Sequence, residues 1–415
     1  MKKRLKGISL IISLLALIIL GGTSAKASEQ YEDTLTMAEV LDQNEAELSE
    51  TEITGIAVGT SRRLTLENVA MDPSTYQITY TSENSKVASV ASDGTITAVA
   101  AGTTNINLTI SFTDQSYRTY SCKVTVTNPS FTQSTYVVAV GGELSLQVKG
   151  SNSEIYDCKV NDESIASVSY WYDLSVVGNK VGTTTIQATV DGKVITATVQ
   201  VTNPTIKDNL KLIVKGKSAN IKVTGKSGKT KVTYQIANSK IASISSSGKI
   251  KGKKYGSTVV TVSVDNTTIP VVVAVGKTKT IGAIKNAVKA LGKPYSQPKR
   301  MQKGYYDCSS LVWRSYKPYK VYFGDKKYAP TAANQGKYLV QKKKVIAKKY
   351  VDPSKLQPGD VLYFTKGKNG RYRNIYHTAI YIGEGVIIHA NGAQVAYGSY
   401  SYYQNRIALI TRPTK

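Results

Sequence analysis

The sequence predicts a multidomain protein in which three small all-β sandwiches are followed by one α+β domain. Two observations predict the sandwiches: a short motif recurs three times, and each copy precedes a turn and a strand of alternating β-branched and polar residues. A third observation predicts the last domain, because this alternation gives way at Lys277 to a helical spacing of apolar residues. The chain therefore contains two kinds of folded domain.

Residues 1–27 have the composition of a secretory signal peptide. Four basic residues precede an apolar run from Ile8 to Leu20, and small residues follow as far as Ala27. We expect cleavage before Ser28. The apolar run has 13 residues, which is short for a bilayer span, and no later segment is long and apolar enough to cross a membrane. The sequence thus predicts a secreted protein without stable membrane insertion.

Residues 28–50 are acidic and contain few large apolar groups. A segment of this composition buries too little apolar surface to offset the entropy lost on ordering. We therefore expect residues 28–50 to form a flexible leader ahead of the first sandwich.

The charge of the chain is divided between its two halves. Residues 28–204 hold 9 basic and 21 acidic residues, a net charge of −12, whereas residues 205–415 hold 40 basic and 7 acidic residues, a net charge of +33. A polycationic half implies an acidic partner. In an exported protein, the anionic polymers of a bacterial wall are favoured over nucleic acid. A lysine-rich surface that only serves solubility is the alternative.

The repeated motif places the three sandwiches at residues 51–128, 129–204 and 205–276. Its central alanines are Ala88, Ala166 and Ala242, which are 78 and 76 residues apart. These units resemble bacterial Ig-like domains of group 2, although the second copy carries Tyr-Trp-Tyr-Asp at 170–173 in place of the Gly turn. The resemblance implies spacer or adhesive modules, and no catalytic constellation occurs in them.

Three cysteines are an odd number for an exported chain. Cys122 and Cys158 lie in strand-like surroundings, where each is either a small buried hydrophobe or half of a bridge between them. In both cases Cys308 remains as a free thiol.

Residues 278–415 form the α+β domain. Apolar residues recur at helical spacing from Ile281 to Leu291, and Gly292 follows as a C-terminal cap. Both histidines of the chain, His377 and His389, lie in this domain. The sequence therefore places the candidate catalytic residues in this domain.

Cys308 lies at a predicted helix start. Asp307 is a good N-cap, an apolar pattern follows, and Pro318 ends the helix. Unpaired N–H groups and the positive end of the helix dipole stabilise a thiolate. We expect Cys308 to have a lowered pKa and to act as a nucleophile.

The two histidines lie on consecutive predicted strands joined by a loop at residues 383–385. With a three-residue loop, Ile382 pairs with Val386, and His377 and His389 point to one face of the hairpin as diagonal neighbours. A thiol nucleophile needs a base, and the base needs an orienting group. Asn391, two residues further on the same face, is an alternative for the orienting role.

These residues resemble the NlpC/P60 family of cysteine peptidases, which are cell-wall hydrolases with a papain-like fold. The matching segments keep the order of the family, at residues 307–312, 356–360, 377–383 and 388–390. The resemblance implies that Cys308 is the nucleophile, His377 the general base and acid, and His389 the orienting third residue. It also places Tyr295 beside the oxyanion.

Two loops depart from the family pattern. Residues 296–300 stand where Trp-Gly-Gly is usual, and residues 329–331 read Ala-Pro-Thr where Arg-Thr-Ser is usual. Both loops shape the substrate cleft. Beside the attacked carbonyl we expect Ser309, and Asp307 if capping leaves it a free oxygen, to hydrogen-bond the substrate.

The sequence therefore predicts a peptidoglycan endopeptidase that needs no metal and no other cofactor. Ligand spacing for zinc is missing, and no phosphate-binding Gly-rich loop precedes a helix. The resemblance implies cleavage of the stem peptide between D-glutamate, through its side-chain carboxyl, and the diamino acid. An N-acetylmuramoyl-L-alanine amidase and a non-catalytic wall-binding adhesin are the alternatives.

Overall fold

The protein is described by a computed structural model that covers residues 35–171 and 173–415. The predicted signal peptide, residues 1–27, lies outside the described residues. Within those residues, no helix has the length and apolar character needed to cross a bilayer.

Residues 35–50 are not the flexible leader that their composition predicts. Helix α1 (Met37–Gln43) buries Leu41 against Ile110 and Phe112 of the first sandwich. Its N-terminus is closed by a capping box between Thr36 and Glu39. The prediction failed because two buried side chains are enough to order a short helix when a neighbouring sheet supplies the rest of the core.

The first sandwich follows this helix. Its strands are β1 (Glu47–Leu48), β2 (Glu52–Ala57), β3 (Ser61–Arg63), β4 (Leu66–Glu67), β5 (Tyr76–Ser82), β6 (Ala88–Val90), β7 (Thr95–Ala98), β8 (Gly102–Phe112) and β9 (Tyr117–Thr127). A four-stranded sheet of order β2-β9-β8-β5 faces a three-stranded sheet of order β3-β7-β6, and β1 pairs with β4.

The second and third sandwiches repeat this topology. The second contains β10 (Ser130–Phe131), β11 (Thr135–Ala139), β12 (Glu143–Ser145), β13 (Val148–Lys149), β14 (Tyr156–Val160), β15 (Ala166–Ser169), β16 (Ser175–Gly178), β17 (Gly182–Val190) and β18 (Lys193–Thr202). The third contains β19 (Thr205–Ile206), β20 (Leu210–Val214), β21 (Ser218–Asn220), β22 (Val223–Thr224), β23 (Thr233–Ile236), β24 (Ala242–Ile244), β25 (Lys249–Gly252), β26 (Gly256–Val264) and β27 (Thr267–Gly276). In each sandwich the first long strand runs parallel to the last one.

The repeated motif has a packing explanation. Its alanines, Ala88, Ala166 and Ala242, each begin a short strand and are fully buried. Cys122 and Cys158 lie in the cores of the first and second sandwiches, and all three cysteines are free. The bridge between Cys122 and Cys158 that the sequence left open is therefore not formed.

The same contact closes both junctions between sandwiches. At the tip of the last hairpin of the second sandwich, Asp191 accepts a hydrogen bond of 2.6 Å from Thr127 of the first. Asp265 occupies the equivalent tip in the third sandwich and accepts one of 2.7 Å from Thr202 of the second. A hydrogen bond from Thr to Asp therefore bridges each of the two junctions.

The last domain is α+β. Its elements are α2 (Thr278–Val288), α3 (Cys308–Tyr316), α4 (Ala332–Gln341), β28 (Val345–Ala347), β29 (Val361–Thr365), β30 (Ile375–Gly383), β31 (Val386–Ala390), β32 (Val395–Ser399) and β33 (Ile407–Thr411). The strands form one antiparallel sheet of order β28-β33-β29-β30-β31-β32, and the helices α2 and α3 share its main hydrophobic core. This arrangement brings α3 against β30 and β31.

The third sandwich is joined closely to the α+β domain. Only Lys277 separates β27 from α2, and Leu210 and Leu212 of the sandwich pack against the core of the α+β domain. The Ser257 hydroxyl donates a 2.7 Å hydrogen bond to the Glu384 carboxylate and accepts one of 3.1 Å from the Glu384 N–H. Glu384 lies in the turn between β30 and β31, so the sandwich contacts the hairpin that carries both histidines.

Candidate active site

Cys308 is the first residue of α3, as the capping pattern predicts. The Asp307 carboxylate accepts a 2.6 Å hydrogen bond from the Ser310 N–H, and the Ser310 hydroxyl accepts one of 2.9 Å from the Asp307 N–H. This capping box orders the helix start and holds the cysteine in the first turn.

The prediction of a lowered thiol pKa is contradicted. Cys308 is 8% exposed, and burial raises the pKa of its thiol to about 12, with a further increase from the Asp307 carboxylate. Backbone hydrogen bonds from Thr378 and Ser309 favour the thiolate but are outweighed. The helix start is present, yet the loss of water around the sulfur dominates. The resting side chain is a neutral thiol.

The two histidines meet on one face of the hairpin, as predicted. The distance from His377 Nε2 to His389 Nδ1 is 2.8 Å. The pairing of Ile380 with Ile388 agrees with the predicted register, but a bulge follows, and Gly383 pairs with Val386. The predicted pairing of Ile382 with Val386 is therefore wrong, because positive φ angles at Glu384 and Gly385 make a tighter turn.

His377 is held as a neutral imidazole. Burial lowers its pKa to about 3, and the neighbouring His389 adds to the shift. Its ring stacks on Phe364 with 5.5 Å between ring centroids, and the Tyr403 ring lies next to that of Phe364, 6.2 Å from His377. Because Nε2 faces His389, Nδ1 is the ring nitrogen that remains to accept a proton.

His389 is 4% exposed, and burial lowers its pKa as well. Gly398 on β32 packs against it so closely that a Cβ atom at Gly398 would lie 2.9 Å from His389 Nε2. Asn391, the alternative orienting residue, is exposed and uses its side-chain oxygen to accept hydrogen bonds from Ala393 and Gln394 in a turn. The structure thus brings His389, and not Asn391, to His377.

The cysteine and the histidines belong to one site. The backbone N–H that hydrogen-bonds the Cys308 sulfur belongs to Thr378, the residue after His377. Tyr295 is half-buried, and the pKa of its phenol is raised first by burial and then by the proximity of Cys308, whose thiolate form would repel a phenolate. The structure therefore groups Tyr295, Cys308, His377 and His389.

Asp307 and Ser309 do not face an open cleft. Asp307 is 4% exposed and Ser309 is 2% exposed. One carboxylate oxygen of Asp307 accepts from Ser310 and from the Ser309 hydroxyl, and the other lies 3.2 Å from Arg300 Nε. The prediction that these two residues hydrogen-bond the substrate is therefore wrong, because both side chains are used to hold the start of α3.

Arg300 is a site residue that the sequence reasoning missed. Its Nη2 donates to the Ser309 hydroxyl at 3.0 Å and to the backbone oxygens of Ala329 and Pro330 at 2.6 and 3.3 Å. One guanidinium thus joins both loops that depart from the family pattern to the start of α3. Only the presence of an arginine in an unusual loop was visible in the sequence, since the contacts are tertiary.

Gln335 of α4 completes this support. It is fully buried, and its Nε2 donates to the backbone oxygens of Ser309 and Pro330 at 2.8 and 3.0 Å. The described part of the chain holds no group of three or more His, Cys, Asp and Glu side chains that are placed to bind a metal ion.

Comparison with known proteins agrees with the resemblance read from the sequence. Residues 292–412 match the model of the NlpC/P60 family, and residues 46–119 match that of the bacterial Ig-like domain (group 2). The resemblance is confirmed: the chain combines Ig-like sandwiches with a C-terminal NlpC/P60 domain. Members of this family are generally cysteine peptidases and act on peptidoglycan. No curated protein matches the chain.

Solved structures of both kinds are similar to this protein. A lipoprotein-like NLP/P60 protein from Staphylococcus aureus is 21% identical, with a TM-score of 0.27, and the match covers 34% of this chain and 43% of that one. NlpC1 from Trichomonas vaginalis is 17% identical, with a TM-score of 0.26, over 56% of this chain and 78% of that one. A three-domain fragment of titin is 14% identical, with a TM-score of 0.22, over 56% and 98%. The chain spans less than half the length of the Staphylococcus aureus protein.

Proposed function

We propose that this protein is a secreted, wall-associated cysteine endopeptidase that cleaves the stem peptide of peptidoglycan. The observation that carries the proposal is the group formed by Cys308, His377 and His389, with 2.8 Å between the two imidazoles. A buried thiol beside a neutral, oriented imidazole is suited to acyl transfer. The Ig-like sandwiches serve as a spacer, and the polycationic half binds anionic wall polymers.

The reaction starts from a neutral pair. The Cys308 thiol passes its proton to His377 Nδ1 as the sulfur attacks the substrate carbonyl carbon. His377 Nε2–H donates to His389 Nδ1 throughout, which fixes the ring and stabilises the imidazolium that forms. The backbone N–H at the start of α3 and the Tyr295 hydroxyl hold the oxyanion.

The leaving amine then takes the proton from His377 Nδ1, and a thioester to Cys308 remains. A water molecule gives a proton to His377 and attacks the thioester carbonyl. Collapse of this second intermediate returns the proton to the sulfur and releases the carboxylic acid. His377 is therefore general base and general acid in turn.

The bond we propose joins the side-chain carboxyl of D-glutamate to the diamino acid. The acyl side of this bond is a flexible γ-linked chain, which can reach the buried thiol at the helix start. Arg300 holds the two cleft loops against α3, so the walls of the cleft are set independently of substrate.

The test is digestion of purified peptidoglycan by the wild-type protein and by Cys308→Ala, followed by mass spectrometry. Fragments ending in L-alanyl-D-glutamate, with a new amine on the diamino acid, support the proposal if Cys308→Ala yields none. Intact stem peptides freed from the glycan would identify an amidase instead. Retention on the wall without any product would identify a binding module.

A further inference from the structure

One open cleft of the α+β domain is lined mainly by lysine. Its volume is about 410 Å³, and it lies beside the start of α2, the turn after α3 and the end of α4. Half of its twelve lining residues are lysines: Lys277, Lys279, Lys320, Lys342, Lys344 and Lys415. We call these residues and the space between them the lysine cleft. No carboxylate side chain is among its lining residues.

The lysine cleft concentrates charge beyond the average of its half of the chain. Basic residues make up 40 of the residues 205–415, which is about one in five, whereas they make up half of the residues that line the lysine cleft. Of two other clefts between the third sandwich and the α+β domain, one is lined mostly by apolar side chains and the other contains the carboxylate of Glu384. The lysine cleft is therefore a local concentration of positive charge on the surface.

Within the described residues, no Asp or Glu side chain forms an ion pair with a lysine of the cleft. Lys277 donates one 2.7 Å hydrogen bond to the backbone oxygen of Thr414, and Lys344 donates to that of Lys415. Lys342 lies over the Tyr338 ring, 5.6 Å from its centroid. An ammonium group has three donors, so each of these lysines keeps donors for a ligand.

We propose that the lysine cleft binds a phosphodiester polymer. Six lysine side chains, even after the main-chain carboxylate of the last residue is subtracted, carry more positive charge than a single phosphate group can neutralise, which points to a ligand with repeated negative charges. Lysine is a compact, flexible point charge that binds phosphate without demanding a planar, bidentate partner. Tyr322 and Tyr338 line the same cleft and offer ring faces to the carbon backbone between phosphates.

The lysine cleft is separate from the candidate active site. Helix α3 carries the chain about 12 Å from Cys308 to Tyr316, at 1.5 Å per residue, and Lys320 follows a 3-10 turn beyond the far end of this helix. A polymer bound there leaves the thiol accessible and holds the domain on the wall. This binding does not rest on the proposed hydrolysis, and it is tested in a protein that cannot hydrolyse.

The experiment uses the full chain carrying Cys308→Ala and measures its affinity for synthetic poly(glycerol phosphate) at several salt concentrations. The cleft variant changes the exposed Lys279, Lys320 and Lys342 to glutamine. The control variant changes three exposed lysines of the third sandwich to glutamine: Lys222, Lys229 and Lys231. Both variants lose three charges, so net charge is matched, and unchanged thermal unfolding shows that both remain folded.

We expect the cleft variant to bind at least tenfold more weakly and with a shallower salt dependence, because ammonium contacts to phosphates displace counterions. The affinity of the control variant for the polymer should fall less than twofold. Equal losses in the two variants would overturn the proposal, since diffuse charge would then explain binding. A second arm uses vesicles of anionic phospholipid: cleft-dependent binding to vesicles, without binding to the polymer, would also overturn it.

Discussion

The substitution Gly398→Ala should slow catalysis, because the added methyl group would push His389 out of its position. The new Cβ would lie 2.9 Å from His389 Nε2, which is too close because ordinary contacts begin at 3.4 Å. The ring cannot retreat straight towards His377, because its other nitrogen is already 2.8 Å from His377 Nε2. It must therefore turn, and the hydrogen bond between the imidazoles loses its alignment.

The expected cost is kinetic. A shift of about 0.5–1 Å in a group that orients the base lowers the rate about 10- to 100-fold, and we expect this loss in kcat and not in KM for Gly398→Ala. The assay follows release of the new amino group from a synthetic stem peptide. Gly228→Ala is the matched control, because a Cβ at Gly228 meets nothing within 4 Å.

A double variant separates this effect from a general loss of structure. If Gly398→Ala acts through His389, it should add little to the loss caused by His389→Ala. Wild-type kcat in Gly398→Ala would refute the reasoning, since His389 would then not need its position. A further large loss in the double variant would show that Gly398 acts by another route.

Three other predictions follow from the charges and contacts of the same domain. Alkylation of Cys308 by iodoacetamide should be slow at pH 7 and rise about tenfold per pH unit up to pH 9, because burial raises the thiol pKa; fast, pH-independent labelling would contradict this. The folded-state pKa of His377 is lowered from 6.5 to about 3, so the unfolded chain takes up the proton first, and Tm should fall as pH falls from 6.5 towards 3. In His377→Gln this fall should be smaller, and an equal fall would assign it to other groups. Glu384→Ala removes the contact with Ser257 at the histidine hairpin and should lower kcat, while Glu384→Gln should restore it; equal losses in both would exclude this positioning role.

The order and type of the domains were readable from the sequence because they depend on local patterns. Strand alternation and the repeated alanines report burial within one sandwich, and the helix cap at Asp307 involves neighbours three residues apart. The meeting of His377 and His389 was predictable for the same reason, since a hairpin turns a spacing along the chain into a distance. The turn of that hairpin was mispredicted, because one bulge changes the pairing at its end without changing the pattern.

The leader shows where composition stops being informative. The composition of residues 35–50 predicts a disordered segment. Leu41 is nevertheless fully buried, because Ile110 and Phe112 of the first sandwich provide an apolar surface for it. Whether such a segment orders depends on what the rest of the fold leaves uncovered. Its own residues do not carry that information.

The sequence by itself determined which side chains could do chemistry: one thiol at a helix start and two imidazoles on a hairpin. Only the tertiary structure decided their electrostatic state, because a pKa depends on how much water the surrounding segments exclude, and here burial outweighs the helix start at Cys308. It also decided that Asp307 and Ser309 support the helix, since Arg300 reaches them from another loop. Which residues are candidates for catalysis follows from local patterns along the chain. Their charge state and their free hydrogen-bonding groups follow from contacts between segments that are far apart in the sequence.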